Sequence, residues 1–415
     1  MGATLSSCAM RAMNRLRVSG VSMCRVLGTR ALFASGAADA AVQTTATRER
    51  WLEEELAWCE CHRRENFFAK SLGRHVTYDG SADAFDARYP ELTRALTSEA
   101  RDAVHAELAS ELMRRETRFE DARRRKAHIS ANYAPLHREL FDSDFETRES
   151  EFVDARWTEL ARTAKEATAA AYAAARGGGK GGEVDARRRF LDATEPLGTI
   201  RESPRGVFTF PALTPTLCRL LREELDHFER SGMPRARPNT MNDDGVLLHE
   251  LGLCENLLDP LLREYIAPMA RALYHPRAVP GCDTLDHHRS FSVSYDATTA
   301  AGKDADLAYH FDDAEVTINV CVSPREAFDG GELLFGGVEG EAGSSHARRC
   351  PRFHREGVAV MHAGKHCHEA MPTTEGRRTN LIAWCRSSAR RAETCGMCGR
   401  DKRTPYVVPG RREGD

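Results

Sequence analysis

The sequence predicts an α+β protein: a double-stranded β-helix, or jelly roll, with flanking helices, preceded by a mostly helical N-terminal region. Two observations predict it. From about Thr47 to Ala175 the apolar residues recur at helical spacing, and after Gly206 the period changes until short segments alternate every second residue. The alternating segments are separated by Gly- and Pro-containing turns, the pattern of two packed antiparallel sheets rather than of strand–helix units.

In the helical part, Leu92, Leu96, Ala100, Val104, Leu108 and Leu112 recur every four residues and form one apolar stripe. Phe152, Val153, Trp157, Leu160, Ala161 and Ala164 form a second. The run Gly177-Gly178-Gly179-Lys180-Gly181-Gly182 ends helix formation, because glycine destabilises helix interiors and suits flexible linkers. It lacks the spacing and the following Ser or Thr of a phosphate loop. The basic run Arg123-Arg124-Arg125-Lys126 reads as the solvated end of a helix.

Beyond Gly206, Phe208 and Phe210 open a new segment and Leu213–Phe228 is amphipathic. Helical pieces are expected over Leu247–Leu257 and Leu258–Leu273. Strands are expected over Phe291–Tyr295, Val316–Val322, Glu332–Phe335, Val358–Met361 and Asn380–Trp384. The expected organisation is a basic segment 1–42, a helical region 43–176, a Gly-rich linker and short helix 177–204, a catalytic domain 205–390 and a Cys-containing tail 391–415.

The chain has 415 residues and a net charge of −3, so bulk charge points to neither nucleic acid nor membrane. No apolar run approaches the roughly 20 residues of a membrane span, and no basic-aromatic interleaving points to nucleic acid. Thirteen scattered cysteines, an odd number, suit a reducing compartment better than a disulfide scaffold. The Cys395-x2-Cys398 and Cys59-x-Cys61 pairs could together close a zinc site, but a second Cys-x2-Cys is missing and the pairs are far apart. The first 38 residues hold Arg11, Arg15, Arg17, Arg25 and Arg30, several serines and no acid. That is the composition of a mitochondrial or plastid transit peptide; a basic extension on a cytoplasmic protein is the alternative.

His310-Phe311-Asp312 carries the first chemical signal. On a strand, residues i and i+2 share a face, so His310 and Asp312 can present an imidazole and a carboxylate to one metal ion. A second histidine would complete a facial triad with open positions for cosubstrate and O2. His362, His366 and His368 compete for that place. Glu375-Gly376 is expected to make a tight turn, after which Arg377 or Arg378 can present a guanidinium fork to a dicarboxylate.

His-x-Asp, followed by a His ten residues before an Arg with Gly two residues before that Arg, resembles the prolyl-4-hydroxylase-type 2-oxoglutarate- and Fe(II)-dependent oxygenases. The resemblance implies iron ligands His310, Asp312 and His368, with Arg378 as the 2-oxoglutarate anchor. His362 and His366 then stand behind the site. It also places a cosubstrate-contacting tyrosine at Tyr295, for which a core or rim position is the alternative reading. Further segments are similar to this family: Arg237–Asn242, Gly245–Leu253, Leu285–Arg289, Asp313–Val320 and Phe328–Leu333, and more faintly Cys59–Cys61 and Ser130–Leu136. The resemblance covers roughly residues 55 to 400.

It implies Fe(II), 2-oxoglutarate and O2, with ascorbate as an accessory reductant. The implied activity is hydroxylation of a protein or peptide side chain, or of a small molecule, with 2-oxoglutarate converted to succinate. A catalytically silent jelly-roll binding module, a cupin-like enzyme with another cosubstrate, and a helical interaction protein are the competing readings. Thr317 and Asn319 share a face and read as ordinary sheet positions, with a polar pocket role for either as the alternative; His287 and His288 read as structural histidines, with one reaching the site as the alternative; and Arg237–Asn242 reads as a loop near the pocket mouth or as a plain helix-terminating loop.

Overall fold

The computed structural model describes Cys61 and residues 67–142, 144–176, 182–298, 305–338, 350–352 and 354–402. All lie in one compact unit, Thr44–Asp415. The basic segment 1–42, Cys59 and residues 177–181 of the glycine run lie outside the described residues.

The N-terminal region is not purely helical. It opens with an antiparallel pair, β1 (Phe67–Ala69) and β2 (Arg74–Val76), joined through Gly73 at φ +61°. Helices α1 (Ala82–Arg88), α2 (Pro90–Thr93) and α3 (Ser98–Asn132) follow. The stripe expected on one helix is divided at Thr97, whose side chain accepts the Ala100 N–H and starts α3 afresh. Leu92 and Leu96 still pack with Val104 and Leu108, so the apolar pattern marked a shared core rather than one helix.

The second stripe is divided in the same way. Phe152 ends α4 (Phe145–Phe152), and α5 (Ala155–Arg176) begins after Asp154, whose carboxylate accepts the Arg156 N–H at 2.9 Å. After α6 (Gly182–Thr194) come the short strands β3 (Arg201–Glu202) and β4 (Phe208–Pro211). Next is α7 (Pro215–Arg230), capped by Thr214, with Leu217, Leu220, Leu221, Leu225 and Phe228 buried. The break expected at Leu257 falls instead at Gly252, φ +102°, after α8 (Leu248–Leu251). The chain then winds without interruption over 254–273, ending in α9 (Ala267–Leu273).

The strands follow: β5 (His287–Asp296), β6 (Leu307–His310), β7 (Val316–Cys321), β8 (Phe328–Gly330), β9 (Leu333–Val338), β10 (Cys350–Arg352), β11 (Val358–Ala363), β12 (His366–Ala370) and β13 (Thr373–Arg386), before α10 (Ser388–Glu393). A seven-stranded sheet has the order β3-β4-β11-β7-β13-β5, with β8 pairing the start of β13. A four-stranded sheet has the order β10-β9-β12-β6. Every pairing between these strands is antiparallel, and the two sheets form the jelly roll.

Period-two alternation explains how β13 serves two cores. Leu381 and Ala383 pack outward with Ile318, Val320, Trp157, Phe210 and the helices. Ile382 packs inward with Phe291, Val293, Tyr295, Leu333 and Phe335, between the sheets. Helices α4 to α9 and the large sheet therefore share one hydrophobic core, while β1, β2, α1, α2 and the start of α3 form a smaller one.

Glu375-Gly376 does not form the expected turn. β13 runs through it with a register shift between Thr373 and Glu375, and Gly376 sits at φ +67°. A Cβ there would lie 2.0 Å from the Ala327 carbonyl oxygen, so the glycine permits a bulge against β8. Met371 and Pro372 make the connection between β12 and β13 instead. No helix among the described residues is long and apolar enough to cross a membrane.

Candidate metal and cosubstrate site

His310 ends β6 directly opposite His368 on β12, and their rings stand 4.4 Å apart, centroid to centroid. Asp312 is not on the strand, as the i, i+2 argument required. It lies just beyond, held by its N–H to the Gly364 carbonyl at 2.8 Å. Gly364 permits this approach, because a Cβ there would meet the Ala314 carbonyl oxygen at 1.9 Å. The result is still convergence. Nε2 of His310 lies 3.5 Å from Asp312 Oδ1, and Nε2 of His368 lies 3.9 Å from Oδ2.

These side chains have backbone and side-chain supports. Nδ1 of His310 meets the Ala308 carbonyl at 2.7 Å, and Nδ1 of His368 meets that of His366 at 3.0 Å. Donating Nδ1–H to a carbonyl leaves the Nε2 lone pair for a cation. The Thr317 hydroxyl donates to Asp312 Oδ2 at 2.7 Å. Phe335 stacks on the His368 ring at 5.4 Å.

Burial, chiefly, pushes His368 down to about 3, which keeps the ring neutral and able to ligate. Burial raises the Asp312 carboxyl, but the imidazoles of His368, His310 and His362 outweigh it and hold the group below the usual carboxylate range. Two imidazoles and one carboxylate, with ligand atoms all within 4.8 Å of one another, form a donor set that fits one divalent cation.

Two other histidines are close but differently engaged. His362, on β11, reaches within 3.8 Å of Asp312 Oδ2 while its Nδ1 meets the Ala363 carbonyl at 2.9 Å. His366 pairs with the Gly336 carbonyl at 3.0 Å. His287 pairs with Asp286 and His288 with Asp259, each as an ordinary structural histidine would.

Arg378 is fully buried on β13, opposite Tyr295 on β5, with its guanidinium 4.4 Å from the Tyr295 ring centre. Its Nη1 donates to the Gly331 carbonyl at 2.6 Å, whereas Nε and Nη2 have no hydrogen-bond partner among the described residues. Leaving two buried donors of a charged group unsatisfied is costly. A carboxylate, which accepts from one guanidinium edge through two parallel bonds, is the group that satisfies them. Gly331, at φ +74°, admits the guanidinium, since a Cβ there would lie 2.9 Å from Arg378 Cζ. Arg377 points elsewhere, pairing with Asp226 and Glu229 at 2.7 Å each.

Sequence reasoning missed several of these residues. Thr317 and Asn319, read first as ordinary sheet positions, take the polar pocket role that was the alternative. Thr317 grips Asp312, and Asn319 lines the cavity while accepting from Asn380 at 2.6 Å. Asn380 also meets His354 Nδ1 at 3.1 Å, and the Thr373 hydroxyl is buried with no partner among the described residues. A buried Asn inside the apolar run of β13 was a readable signal; His354 offered none.

A cavity of about 360 Å³ opens beside the cluster. His310, Leu307, Asn239 and Trp384 line both this space and the small cavity containing Asp312 and His368. Arg114, Arg118 and Arg125 of α3 form part of its wall. Arg237, Asn239, Thr240 and Met241 of the loop Arg237–Asn242 line the larger cavity, the loop being shaped by Asn239, whose side chain accepts the N–H groups of Met241 and Asn242 at 2.8 and 2.7 Å.

A jelly roll carrying a two-histidine, one-carboxylate cluster beside a buried arginine defines the class of 2-oxoglutarate- and iron-dependent oxygenases. An OGFOD2-like domain model matches residues 192–278. The chain is 35% identical over 361 residues to the human 2-oxoglutarate and iron-dependent oxygenase domain-containing protein 2, covering 86% of this chain and 92% of that protein. It is 38% identical over 225 residues to the Arabidopsis thaliana oxygenase domain-containing protein CP2, covering 50% of this chain and 55% of that one. A Pseudomonas putida prolyl-4-hydroxylase structure aligns at 16% identity and a TM-score of 0.30, over 48% of this chain and 93% of that chain, so the fold rests on the strand pairing above. The chain belongs to the family of 2-oxoglutarate and iron-dependent oxygenase domain-containing protein 2.

Proposed function

We propose that this oxygenase hydroxylates a protein or peptide side chain, with His310, Asp312 and His368 holding Fe(II) and Arg378 anchoring 2-oxoglutarate. The observation that carries the reading is the buried Arg378 edge, with two donors that have no partner among the described residues, set in the same jelly roll as the three convergent ligand atoms. With its cosubstrates bound, iron supplies the oxidising chemistry: 2-oxoglutarate and O2 give succinate and CO2, and one oxygen atom enters a substrate C–H bond. The chain supplies position and dryness. Thr317 fixes the Asp312 carboxylate, Phe335 fixes the His368 ring, and Tyr295 covers the guanidinium that would hold the far carboxylate.

The cavity beside His310 falls within the usual volume range for small-ligand sites. Because α3 builds part of its wall, the helical region helps choose the substrate in this reading. Ascorbate is proposed to act only by keeping the metal ferrous. Residues 1–42 are proposed to direct the chain to a mitochondrion or plastid. A reporter fused to them that stays diffuse in the cytosol would remove that part.

The test needs no substrate. Protein is mixed anaerobically with Fe(II) and titrated with 2-oxoglutarate while the visible metal-to-ligand charge-transfer band is followed. A saturating band in the wild type, weakened in Arg378→Ala and absent in His368→Ala, is expected. A folded wild type with no band overturns the proposal in favour of a silent binding module.

A further inference from the structure

Outside the oxygenase cluster, one other group of metal-binding side chains converges among the described residues: Cys61, Cys395 and Cys398. They come from opposite ends of the chain. The sulfurs of Cys61 and Cys395, 334 residues apart in sequence, lie 3.5 Å from each other. A disulfide needs about 2.05 Å. Thiolates bound to one zinc at about 2.3 Å in a tetrahedron stand roughly 3.8 Å apart. The three ligand sulfurs all lie within 4.8 Å of one another, so the arrangement has the scale of a metal-thiolate site and not of a bond.

The local backbone is built for it. Thr394 and Asp401 bridge as a short antiparallel pair, and Cys395 N–H donates to the Arg400 carbonyl at 2.9 Å. Gly399, at φ +69°, reverses the chain immediately after Cys398, and its N–H returns to the Cys395 carbonyl at 3.0 Å. This is a Cys-x2-Cys knuckle presenting two sulfurs on one side, with Cys61 delivered to them from the N-terminal region.

We propose that Cys61, Cys395 and Cys398 bind a structural zinc ion that ties the N-terminal region to the C-terminal tail. The site is distinct from the iron cluster in donor chemistry, since soft thiolates select zinc where imidazole and carboxylate suit iron. It also braces the oxygenase site. The Met397 carbonyl, between the two cysteines, accepts from Lys365 at 2.7 Å, and Met397 lines the cavity that His310 lines. Gly396 abuts Asp313, the residue after Asp312, so tightly that a Cβ would lie 2.9 Å from its carboxylate.

Metal content decides it. Full-length protein, grown with zinc and purified without chelator, is analysed as wild type, as His310→Ala/His368→Ala and as Cys395→Ser/Cys398→Ser. About one zinc per chain is expected in the first two and less than about a tenth in the third. The histidine variant removes zinc held adventitiously in the iron cluster. Because the cysteine variant can lose zinc merely by unfolding, the wild type is also loaded with Co(II) in place of zinc. A near-ultraviolet sulfur-to-cobalt charge-transfer band with tetrahedral visible bands is expected. No zinc in the wild type, zinc lost only with the histidines, no sulfur-to-cobalt band, or a Cys61–Cys395 disulfide in protein purified without reductant each overturns the proposal.

Discussion

At the residue scale the site depends on groups that hold other groups. Thr317 donates one hydrogen bond to Asp312, and replacing it with valine keeps the shape while removing the bond. Outer partners of this kind typically tune metal affinity by about 10- to 100-fold. Thr317→Val is therefore expected to weaken Fe(II) binding by about that factor with the melting temperature little changed; equal iron affinity in the two proteins would strip Thr317 of this role. Arg378→Gln removes the charged fork and is expected to raise the 2-oxoglutarate dissociation constant by about 10- to 100-fold, since charge-assisted pairs are the stronger hydrogen bonds. The charge-transfer titration reads this directly. At this scale the sequence was most legible for His310, Asp312, His368 and Arg378, because their spacing carries the signal. Thr317, Gly331 and Gly364 were not, because their importance lies in neighbours brought from other strands.

At the element scale, small local groups decide where helices and strands begin and bend. Gly331, at φ +74°, leaves room for the Arg378 guanidinium. Gly331→Ala adds a Cβ where only glycine fits and imposes about 1–2 kcal/mol of backbone strain. It should lower both thermal stability and 2-oxoglutarate affinity; a variant with unaltered affinity would show that the approach is not tight.

Asp286, just before β5, links that strand to α10. It accepts from His287 at 2.7 Å, from the Ser388 N–H at 3.0 Å and from the Ser388 hydroxyl. Burial raises its pKa, but these hydrogen bonds outweigh burial and bring it down to about 2. A folded-state pKa below the unfolded value of about 3.9 contributes stability above that value, and loses it as pH falls toward the folded pKa. The stability gap between wild type and Asp286→Asn should thus shrink as pH falls from about 4 to 2. Denaturant titrations across that range check it, and a gap that stays flat would remove the linkage.

At the scale of the whole molecule, helices α4 to α9 share a core with the large sheet. Trp157 on α5 lies within 4.9 Å of the Tyr265 ring and 5.9 Å of the Phe210 ring, centroid to centroid, and its indole N–H points to the Met269 sulfur at 3.1 Å. Deleting a buried aromatic of this kind costs about 3–5 kcal/mol. Trp157→Ala is expected to lower the denaturation midpoint by an amount equivalent to that. Helical and sheet signals should still be lost together, because the two cores meet through β13. Separate transitions would mean that the helical region folds alone.

The amino-acid sequence by itself determined the kinds of segment and their chemistry: helical then alternating periods, and the His-x-Asp and His-x10-Arg spacings. These are local quantities, carried by residues near one another in the chain. Tertiary structure decided which apparent helices were divided, at Thr97 and Asp154, and that Gly376 bends a strand instead of turning it. It also decided that β6 and β12 lie side by side with His310 opposite His368, and that Cys61 meets Cys395. Those outcomes depend on carbonyls, thiols and hydroxyls supplied from distant parts of the chain. A periodicity records only which face of a segment is buried, and not what it is buried against.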